Sequence, residues 1–185
     1  MSPLNLNERQ RVCGTFNLTD HHGRSVSNES FRGRFMLIFF GFTHCRIVCP
    51  RALTKISGAL DALGETLVPV CPLYITVDPE RDTAEVMRKF LLSYPRIIGL
   101  TGSRTQIEEV KRNFRVFARR AANSLDDDNY NVPHTSITYL LDRDGQFVAD
   151  FNDSIPLNEM VERLKSHLAL RKFSAVCDGR SAEQD

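Results

Sequence analysis

The 185-residue chain has no tryptophan, no long apolar run and no excess of either sign of charge. Its longest apolar stretch, Phe35 to Phe42, has eight residues, whereas a helix that crosses a bilayer needs about 18 or more. The first 30 residues also lack the apolar core of a signal peptide. A formal net charge of only +1 argues against binding nucleic acid by neutralising phosphates. We therefore expect no membrane span, signal sequence or anchor in this chain and no nucleic-acid partner.

The composition is otherwise that of an ordinary globular protein. Hydrophobic residues make up 42% of the chain and charged residues 25%, and this length suits one domain with a substantial core. We expect that domain to span 14–170, after an N-terminal segment at 1–13. The polar stretch at 171–185 shows no apolar periodicity, which predicts a flexible C-terminal tail.

Strands and helices alternate along the predicted domain. A hairpin at about 15–27 precedes a strand at 35–40 that is apolar on both faces, as in a strand buried in the middle of a sheet. Three helices are predicted from apolar spacings of three and four and from capping residues; they begin near Cys49, Asp82 and Ser103. Further strands are predicted at 73–77, 97–100, 135–141 and 146–151, and a last helix carries 160–168. This order predicts an α/β fold with a central, mostly parallel sheet, an antiparallel hairpin at its edge and helices on both faces.

The most informative segment is His-Cys-Arg-Ile-Val-Cys-Pro at 44–50, directly after the buried strand. Cys45 and Cys49 are four residues apart at a helix start, so they lie on the same side of its first turn. The free N–H groups and partial positive charge of a helix N-terminus stabilise a thiolate. Pro50 suits the first turn, where a missing N–H costs little. Two structural core cysteines are the alternative, but that alternative does not explain why both lie at the polar end of a helix.

Two kinds of chemistry suit this cysteine pair. Thiolates four residues apart can chelate a soft metal ion such as Cu(I) or zinc, and they can also cycle between dithiol and disulfide. The remaining cysteines, Cys13, Cys71 and Cys177, stand alone, so no second close pair completes a structural zinc site. We expect Cys71 to be a small core residue. Metal binding and thiol redox chemistry both stay open at this point.

The cysteine segment is part of a longer motif, Gly-Phe-Thr-His-Cys-Arg-Ile-Val-Cys-Pro at 41–50. Ile-Thr-Val-Asp-Pro-Glu-Arg-Asp-Thr follows at 75–83, Gly-Leu-Thr-Gly at 99–102, and Pro-His-Thr at 133–135 with the later Tyr139 and Asp-Gly at 144–145. In this order the motifs resemble those of the Sco/SenC family of copper chaperones, and the similarity covers about 14–168. The resemblance implies a thioredoxin-like fold, in agreement with the predicted order of strands and helices.

The resemblance also implies a ligand set and a role. Copper, as Cu(I) and also as Cu(II), would be held by Cys45, Cys49 and His134, a donor set that suits both ions. The family helps to assemble the binuclear copper site of cytochrome c oxidase. The implied partners are subunit II of that oxidase or another copper-site protein, a copper donor chaperone and a thiol–disulfide reductant. The implied compartment is the bacterial periplasm and inner-membrane surface or the mitochondrial intermembrane space.

Two functions follow for such a protein. The first is a metallochaperone that binds and transfers copper without turnover. The alternative is an enzyme, a thiol–disulfide reductase that keeps the copper-site cysteines of a partner reduced. In that enzyme Cys45 attacks the partner disulfide and Cys49 resolves the mixed disulfide, so the pair itself forms a redox disulfide.

The chain departs from the family pattern beside both parts of the predicted site. Arg46-Ile47 stands where the family usually has Pro-Asp, and Pro133 where it usually has Asp, so the site gains positive charge and loses carboxylates. Val-Pro at 132–133 also resembles the cis-proline loop of thioredoxin-like oxidoreductases.

His44 either tunes the charge of the neighbouring thiol or packs beside it. The charged residues of 78–82 either form a cluster near the site or serve as turn and cap residues.

Overall fold

The computed structural model describes residues 12, 14–64, 69–119 and 132–170. Within these ranges seven strands are formed: β1 (Asn17–Asp20), β2 (Ser25–Ser27), β3 (Phe35–Gly41), β4 (Val70–Thr76), β5 (Ile98–Thr101), β6 (Ile137–Leu141) and β7 (Phe147–Asn152). The α-helices of the same ranges are α1 (Val48–Leu63), α2 (Ala84–Phe90), α3 (Arg104–Asn113) and α4 (Leu157–Leu170). Residues 1–11, Cys13, Cys177 and the tail at 171–185 lie outside the described residues, so their expected character stays a prediction. No helix in the described part of the chain is long and apolar enough to cross a membrane.

The seven strands form one sheet in the order β2-β1-β5-β4-β3-β6-β7. The three central strands β3, β4 and β5 run parallel, and antiparallel pairs flank them on both sides. The predicted α/β fold with an antiparallel hairpin at the edge is confirmed. Antiparallel pairing takes a larger share than expected because the N-terminal hairpin joins the opposite edge of the same sheet.

β3 shows why both faces of the sheet are covered. Its side chains alternate between the faces, as in any strand, and all seven residues are buried. Phe35, Leu37 and Phe39 pack with side chains of α1, α2 and α4, whereas Ile38 and Phe40 pack with those of α3 and β1 on the other face. Burying one side chain of this size contributes about 1.5–3 kcal/mol, so β3 is the main apolar link between the two layers. The predicted core residue Cys71 is buried in β4.

Local sequence signals predict most helix ends correctly, but the predicted N-cap of α2 is wrong. Ser103 and Gln106 form the predicted capping box of α3, and α1 ends at Gly64, whose φ of 62° suits glycine. The expected cap of α2, Asp82, is not the cap. Thr83 takes that position and accepts from the backbone N–H three residues later, because the Asp82 carboxylate is engaged elsewhere.

Strand register brings three loops to one edge of the sheet. β3 and β4 are parallel, and their last residues, Gly41 and Thr76, are register partners. The loops that follow them therefore start side by side. β6 is antiparallel to β3, so the segment that precedes β6 reaches this edge as well. The two cysteines and His134, far apart in the sequence, meet there.

Candidate metal centre

The two cysteines lie where the chain leaves the sheet and enters α1. Cys45 is partly buried in the loop after β3, and Cys49 is fully buried in the first turn of the helix. The backbone N–H of Cys49 donates to the Cys45 Sγ at 3.4 Å. The Nε2 of His134 lies 4.0 Å from the Cys49 Sγ. The structure thus brings together the three residues predicted from the sequence as copper ligands.

His134 is oriented with its Nε2 toward the thiols. Its Nδ1 lies 2.9 Å from the carbonyl oxygen of Val132, and since a carbonyl can only accept, Nδ1 carries the proton. The rings of Phe39 and Phe42 meet the imidazole edge-on, with centroids 6.5 and 5.6 Å away. In the neutral imidazole this leaves the lone pair on Nε2, on the side of the thiols, which is the form in which histidine binds a metal ion.

The two thiols differ in acidity because they differ in hydrogen bonding and burial. The Cys49 thiol and three backbone N–H groups at the start of α1 donate to the Cys45 sulfur and lower the pKa of Cys45 to about 5. The pKa of Cys49 is raised far above its ordinary value, first because Cys49 donates its proton to Cys45 and second because Cys49 is buried. Near neutral pH the pair therefore carries one negative charge, on the more exposed sulfur of Cys45.

One buried carboxylate anchors the cysteine loop. Asp82 is inaccessible to solvent, and it accepts from the backbone N–H of Thr43 at 3.0 Å and from the Thr43 hydroxyl at 2.6 Å. The hydroxyl of Thr76, at the end of β4, donates to it at 2.6 Å, and the Asp82 carbonyl accepts from Thr101 at 2.7 Å. Burial raises the pKa of Asp82, while the hydrogen bonds from Thr43 and Thr76 act in the opposite direction. Asp82 therefore ties the loop before Cys45 to the ends of two strands.

Of the other charged residues of 78–82, Asp78 and Arg81 serve the turn itself, whereas Glu80 pairs with Arg104 of α3 at 3.6 Å. Arg81 and Asp78 form a largely buried ion pair of 2.6 Å, and the Arg81 guanidinium lies 5.9 Å from the centre of the Phe42 ring. Both alternatives raised for this segment therefore apply to different members of it. The signal for Asp82 was present in the sequence: a carboxylate shortly after one buried strand and a threonine shortly after its neighbour. Strand register was needed to connect them.

Gly41, the last residue of β3, makes room for the Cys49 thiol. A Cβ at this position would lie 2.6 Å from the Cys49 Sγ and 2.7 Å from the hydroxyl of Tyr74. Tyr74 is fully buried and stacks on Phe39, with ring centroids 6.3 Å apart. Burial is the main cause that raises the pKa of Tyr74 well above its ordinary value. Glycine is required here by the close approach of other atoms, a requirement that the sequence motif does not reveal.

Two residues beside the predicted ligands have other roles. His44 is exposed, and its Nδ1 lies 3.1 Å from the Thr43 hydroxyl and 3.9 Å from an Asp82 oxygen, so it packs beside the loop. The expected likeness of Val132-Pro133 to a cis-proline loop is wrong, because no peptide bond between described residues is cis. Pro133 instead enters an extended segment in which the next residue pairs with Ala118.

The donor set fits a soft metal ion. A sulfur and an imidazole nitrogen that each lie about 2.0–2.3 Å from one metal ion are about 3.5–4.4 Å apart, and the 4.0 Å between Cys49 and His134 falls in this range. Among the described residues no three histidine, cysteine, aspartate or glutamate side chains form a ready-made metal cluster.

Comparison with known proteins identifies similar chains. A family model described as SCO1/SenC matches residues 5–169. The SCO2-like protein RP587 of Rickettsia prowazekii is 37% identical over 160 residues, which cover 86% of this chain and 78% of that protein. The mitochondrial SCO1 homologue of Homo sapiens is 36% identical over 170 residues, which cover 87% of this chain and 56% of that protein. The solved structure of Bradyrhizobium japonicum ScoI with copper bound is 41% identical with a TM-score of 0.77, and the match covers 85% of this chain and 99% of that one.

The acidity of Cys45 is the first testable property of the site. We expect the ultraviolet absorbance of the reduced protein to report a thiolate with an apparent pKa near 5. Cys49→Ala should raise this pKa, because the thiol donor is lost. Folding lowers the pKa, so the thiolate stabilises the fold fully above the ordinary thiol pKa of about 8.5 and loses this contribution as the pH falls through 5. Cys71→Ala is the control, since burial raises the pKa of Cys71; a wild-type midpoint above about pH 8 contradicts the prediction.

The space beside Gly41 can be tested with a pair of glycine variants. Gly41→Ala should lower the free energy of unfolding by about 1–3 kcal/mol, because the added methyl group collides with Cys49 and Tyr74. Gly58→Ala in α1 is the matched control: its Cβ would lie 3.3 Å from a Leu157 methyl carbon, and helix propensity favours alanine by about 1 kcal/mol. Urea denaturation measures both variants. Equal stability of Gly41→Ala and the wild type would show that Cys49 and Tyr74 can move to make room for a methyl group.

The anchoring role of Asp82 predicts a large loss of stability on its removal. Asp82→Ala leaves the hydroxyl of buried Thr76 and two donors of Thr43 without their acceptor, and we expect a loss of about 2–4 kcal/mol. Asp61→Ala removes a carboxylate that is 74% exposed and paired with Arg96, and this control should change stability by less than about 1 kcal/mol. Equilibrium unfolding by urea compares the two variants. Similar values for both would argue against the anchor.

Proposed function

The chain belongs to the SCO1/SenC family, and on this basis we propose that it binds copper through Cys45, Cys49 and His134 and passes it to another protein. The observation that carries the proposal is the convergence of two sulfur atoms and an imidazole lone pair at one edge of the sheet. Two thiolates and one imidazole suit Cu(I) and can also hold Cu(II). The copper-bound structure of a relative with 41% identity supports the choice of metal.

The acidity of Cys45 and the orientation of His134 favour metal binding. The Cys45 thiolate is already in the form that binds a metal ion, and the hydrogen bond of the His134 Nδ1 to Val132 turns Nε2 toward the thiols. Cys49 has to give up its proton, so copper binding should release one proton. The partly exposed Cys45 is the ligand that an incoming thiolate can reach first, which suits transfer by ligand exchange.

The recipient and the compartment follow from the family. Sco proteins act at the copper sites of cytochrome c oxidase, and we infer that this chain serves subunit II or another copper-site protein. A copper donor chaperone would load it, and a thiol–disulfide reductant would keep its cysteines reduced. Relatives include a Rickettsia protein and a mitochondrial one. We propose the bacterial periplasm and inner-membrane surface or the mitochondrial intermembrane space as the compartment.

The thiol asymmetry favours a second function, a thiol–disulfide reductase. The Cys45 thiolate would attack a partner disulfide, form a mixed disulfide and release one partner thiolate. Cys49 would then give its proton to the released partner thiolate and attack the Cys45 sulfur of the mixed disulfide. The second partner sulfur leaves as a thiolate, and the Cys45–Cys49 disulfide forms. Two electrons pass to the partner in this sequence, and the external reductant restores the dithiol.

Cu(I) titration of His134→Ala distinguishes the two functions. If copper binding is central, loss of this ligand should weaken Cu(I) binding by at least about 100-fold. Removing a residue that only hydrogen-bonds to a metal ligand already lowers metal affinity by about 10–100-fold. The Cys45–Cys49 redox couple should change little. Competition with a chromophoric Cu(I) chelator measures the affinity, and His22→Ala, an exposed histidine in a turn, is the control. Wild-type stoichiometry far below one copper per chain would rule out the first function, and a mixed disulfide trapped by Cys49→Ser would support the second.

A further inference from the structure

Exposed cations and two exposed apolar side chains surround the cysteines and His134. We name these residues the cationic rim: Arg46, Ile47, Arg115, Phe117 and Arg119. All five side chains are exposed, and Ile47 and Phe117 expose 71% and 56% of their surface. Single exposed apolar side chains are ordinary on a protein surface, so the case for an interaction surface depends on the charges beside them.

The backbone holds both halves of the cationic rim next to the ligands. Arg46 and Ile47 lie between the two cysteines in the sequence. On the other side, Ala118 pairs with His134 in an antiparallel bridge, and the hydrogen bonds that flank this bridge join 117–119 to 133–135. The cationic rim is therefore built on the same backbone segments that carry the ligands.

A buried lysine fixes the segment 115–119. The Nζ of Lys111 donates to the carbonyl of Ala118 at 3.2 Å and to a carboxylate oxygen of Glu108 at 2.7 Å. Arg115 lies in a turn with a φ of 56°, and from Val116 onward buried and exposed side chains alternate toward the bridge at Ala118. Val116 is buried, whereas the three cationic-rim residues of the segment point to solvent. Their exposure is thus a fixed feature of the backbone.

Three of the described segments beside the ligands carry charge of one sign. The segments 43–48, 115–119 and 132–136 contain three arginines and no carboxylate. In the neighbouring loop Asp78 and Asp82 are buried, and the exposed Glu80 pairs with Arg104. The ion pairs formed close by use other cations, Arg51 with Asp153 and Arg81 with Asp78. These described segments therefore present a positive field to an approaching molecule.

We propose that the cationic rim is a docking surface for a protein whose own reactive cysteine is surrounded by carboxylates and an apolar side chain. The inference rests on the proposed function, because the partner is the protein that exchanges copper or thiols with Cys45. Complementary charge speeds the encounter and selects the partner. Ile47 and Phe117 add apolar contacts on the two sides of the site.

A protein surface suits the cationic rim better than an anionic membrane does. Ile47 and Phe117 are single side chains on two separate segments, whereas interfacial membrane binding uses the continuous apolar face of an amphipathic helix. Exchange at Cys45 also requires a partner sulfur to reach the partly exposed thiolate. The body that touches the cationic rim must therefore carry that sulfur.

The test measures thiol–disulfide exchange with two synthetic peptides and uses no copper. Each peptide has one cysteine joined to thionitrobenzoate in a mixed disulfide, with a leucine beside it and either glutamates or lysines on both sides. The Cys45 thiolate attacks the peptide sulfur, a Cys45–peptide disulfide forms, and the coloured thionitrobenzoate anion leaves with the electron pair of the broken bond. Stopped-flow absorbance gives the rate constant. Dividing it by the rate of β-mercaptoethanol with the same peptide removes differences in peptide reactivity.

We expect a charge preference that salt abolishes. In about 20 mM salt the glutamate peptide should react about tenfold faster than the lysine peptide, and in about 0.5 M salt the ratio should approach one, because salt screens the charges. Arg115→Asn combined with Arg119→Gln should reduce the low-salt ratio to about two or three. Asparagine is chosen because Arg115 has a φ of 56°, which asparagine tolerates.

The matched control removes the same charge from the opposite end of β3. Arg32 and Arg34 precede this strand, whose seven residues place them on the order of 20 Å from the site. Arg32→Gln combined with Arg34→Gln should keep the preference. A low-salt ratio near one in the wild type, or an equal loss in both double variants, would overturn the docking surface. Binding of phosphatidylserine vesicles that depends on the cationic rim, without a peptide preference, would overturn the protein partner.

The same variants separate this inference from the proposed function. Cu(I) titration of the Arg115→Asn, Arg119→Gln variant should give the wild-type affinity, because neither arginine is a ligand. If the wild type binds no copper but keeps the peptide preference, the copper function is contradicted and the docking surface is not. Intact copper binding without the preference contradicts the docking surface alone.

Discussion

The site depends on one buried carboxylate, that of Asp82. Its hydrogen bonds join the loop after β3 to the end of β4, and the backbone carbonyl of Asp82 accepts from Thr101 at the end of β5. Burying a carboxylate is costly, and the cost is offset only while its hydrogen-bond donors stay in place. Thr43, which supplies two of these donors, precedes Cys45 by two residues. The interaction that holds three chain segments together therefore also sets the position of the thiols.

The unequal acidity of the two thiols follows from their places at the start of α1. Cys45 faces free N–H groups and lies partly in solvent, so its sulfur is charged at neutral pH. Cys49 is buried between β3 and Tyr74 and keeps its proton. Copper exchange and disulfide exchange both begin with a sulfur that a partner can reach. Both chemistries of the pair are thus directed to Cys45, the sulfur that the cationic rim surrounds.

Sequence patterns were sufficient wherever residues close in the chain decide the outcome. The apolar run of β3 and the capping box of α3 are local, and both were predicted. The cap of α2 was predicted wrongly. Asp82 and Thr83 are adjacent and both are residue types that cap helices, and only the tertiary hydrogen bonds of Asp82 show that Asp82 is not the cap. β4 begins at Val70, three residues before the predicted start. Pro72, which lacks an N–H, argues locally against a strand.

The sequence by itself determined the family, the order of strands and helices, and the placing of two cysteines at a helix start, where a thiolate is stabilised. The strands, the helices and the helix start depend on contacts within a few residues, and the family is recognised from motifs that are each short. Only the tertiary structure decided that His134, 85 residues from Cys49, lies 4.0 Å from it. The space beside Gly41 and the joining of two distant segments into the cationic rim were decided in the same way. The physical reason is strand register: it sets which residues meet at the edge of the sheet, and no pattern within a single segment contains it.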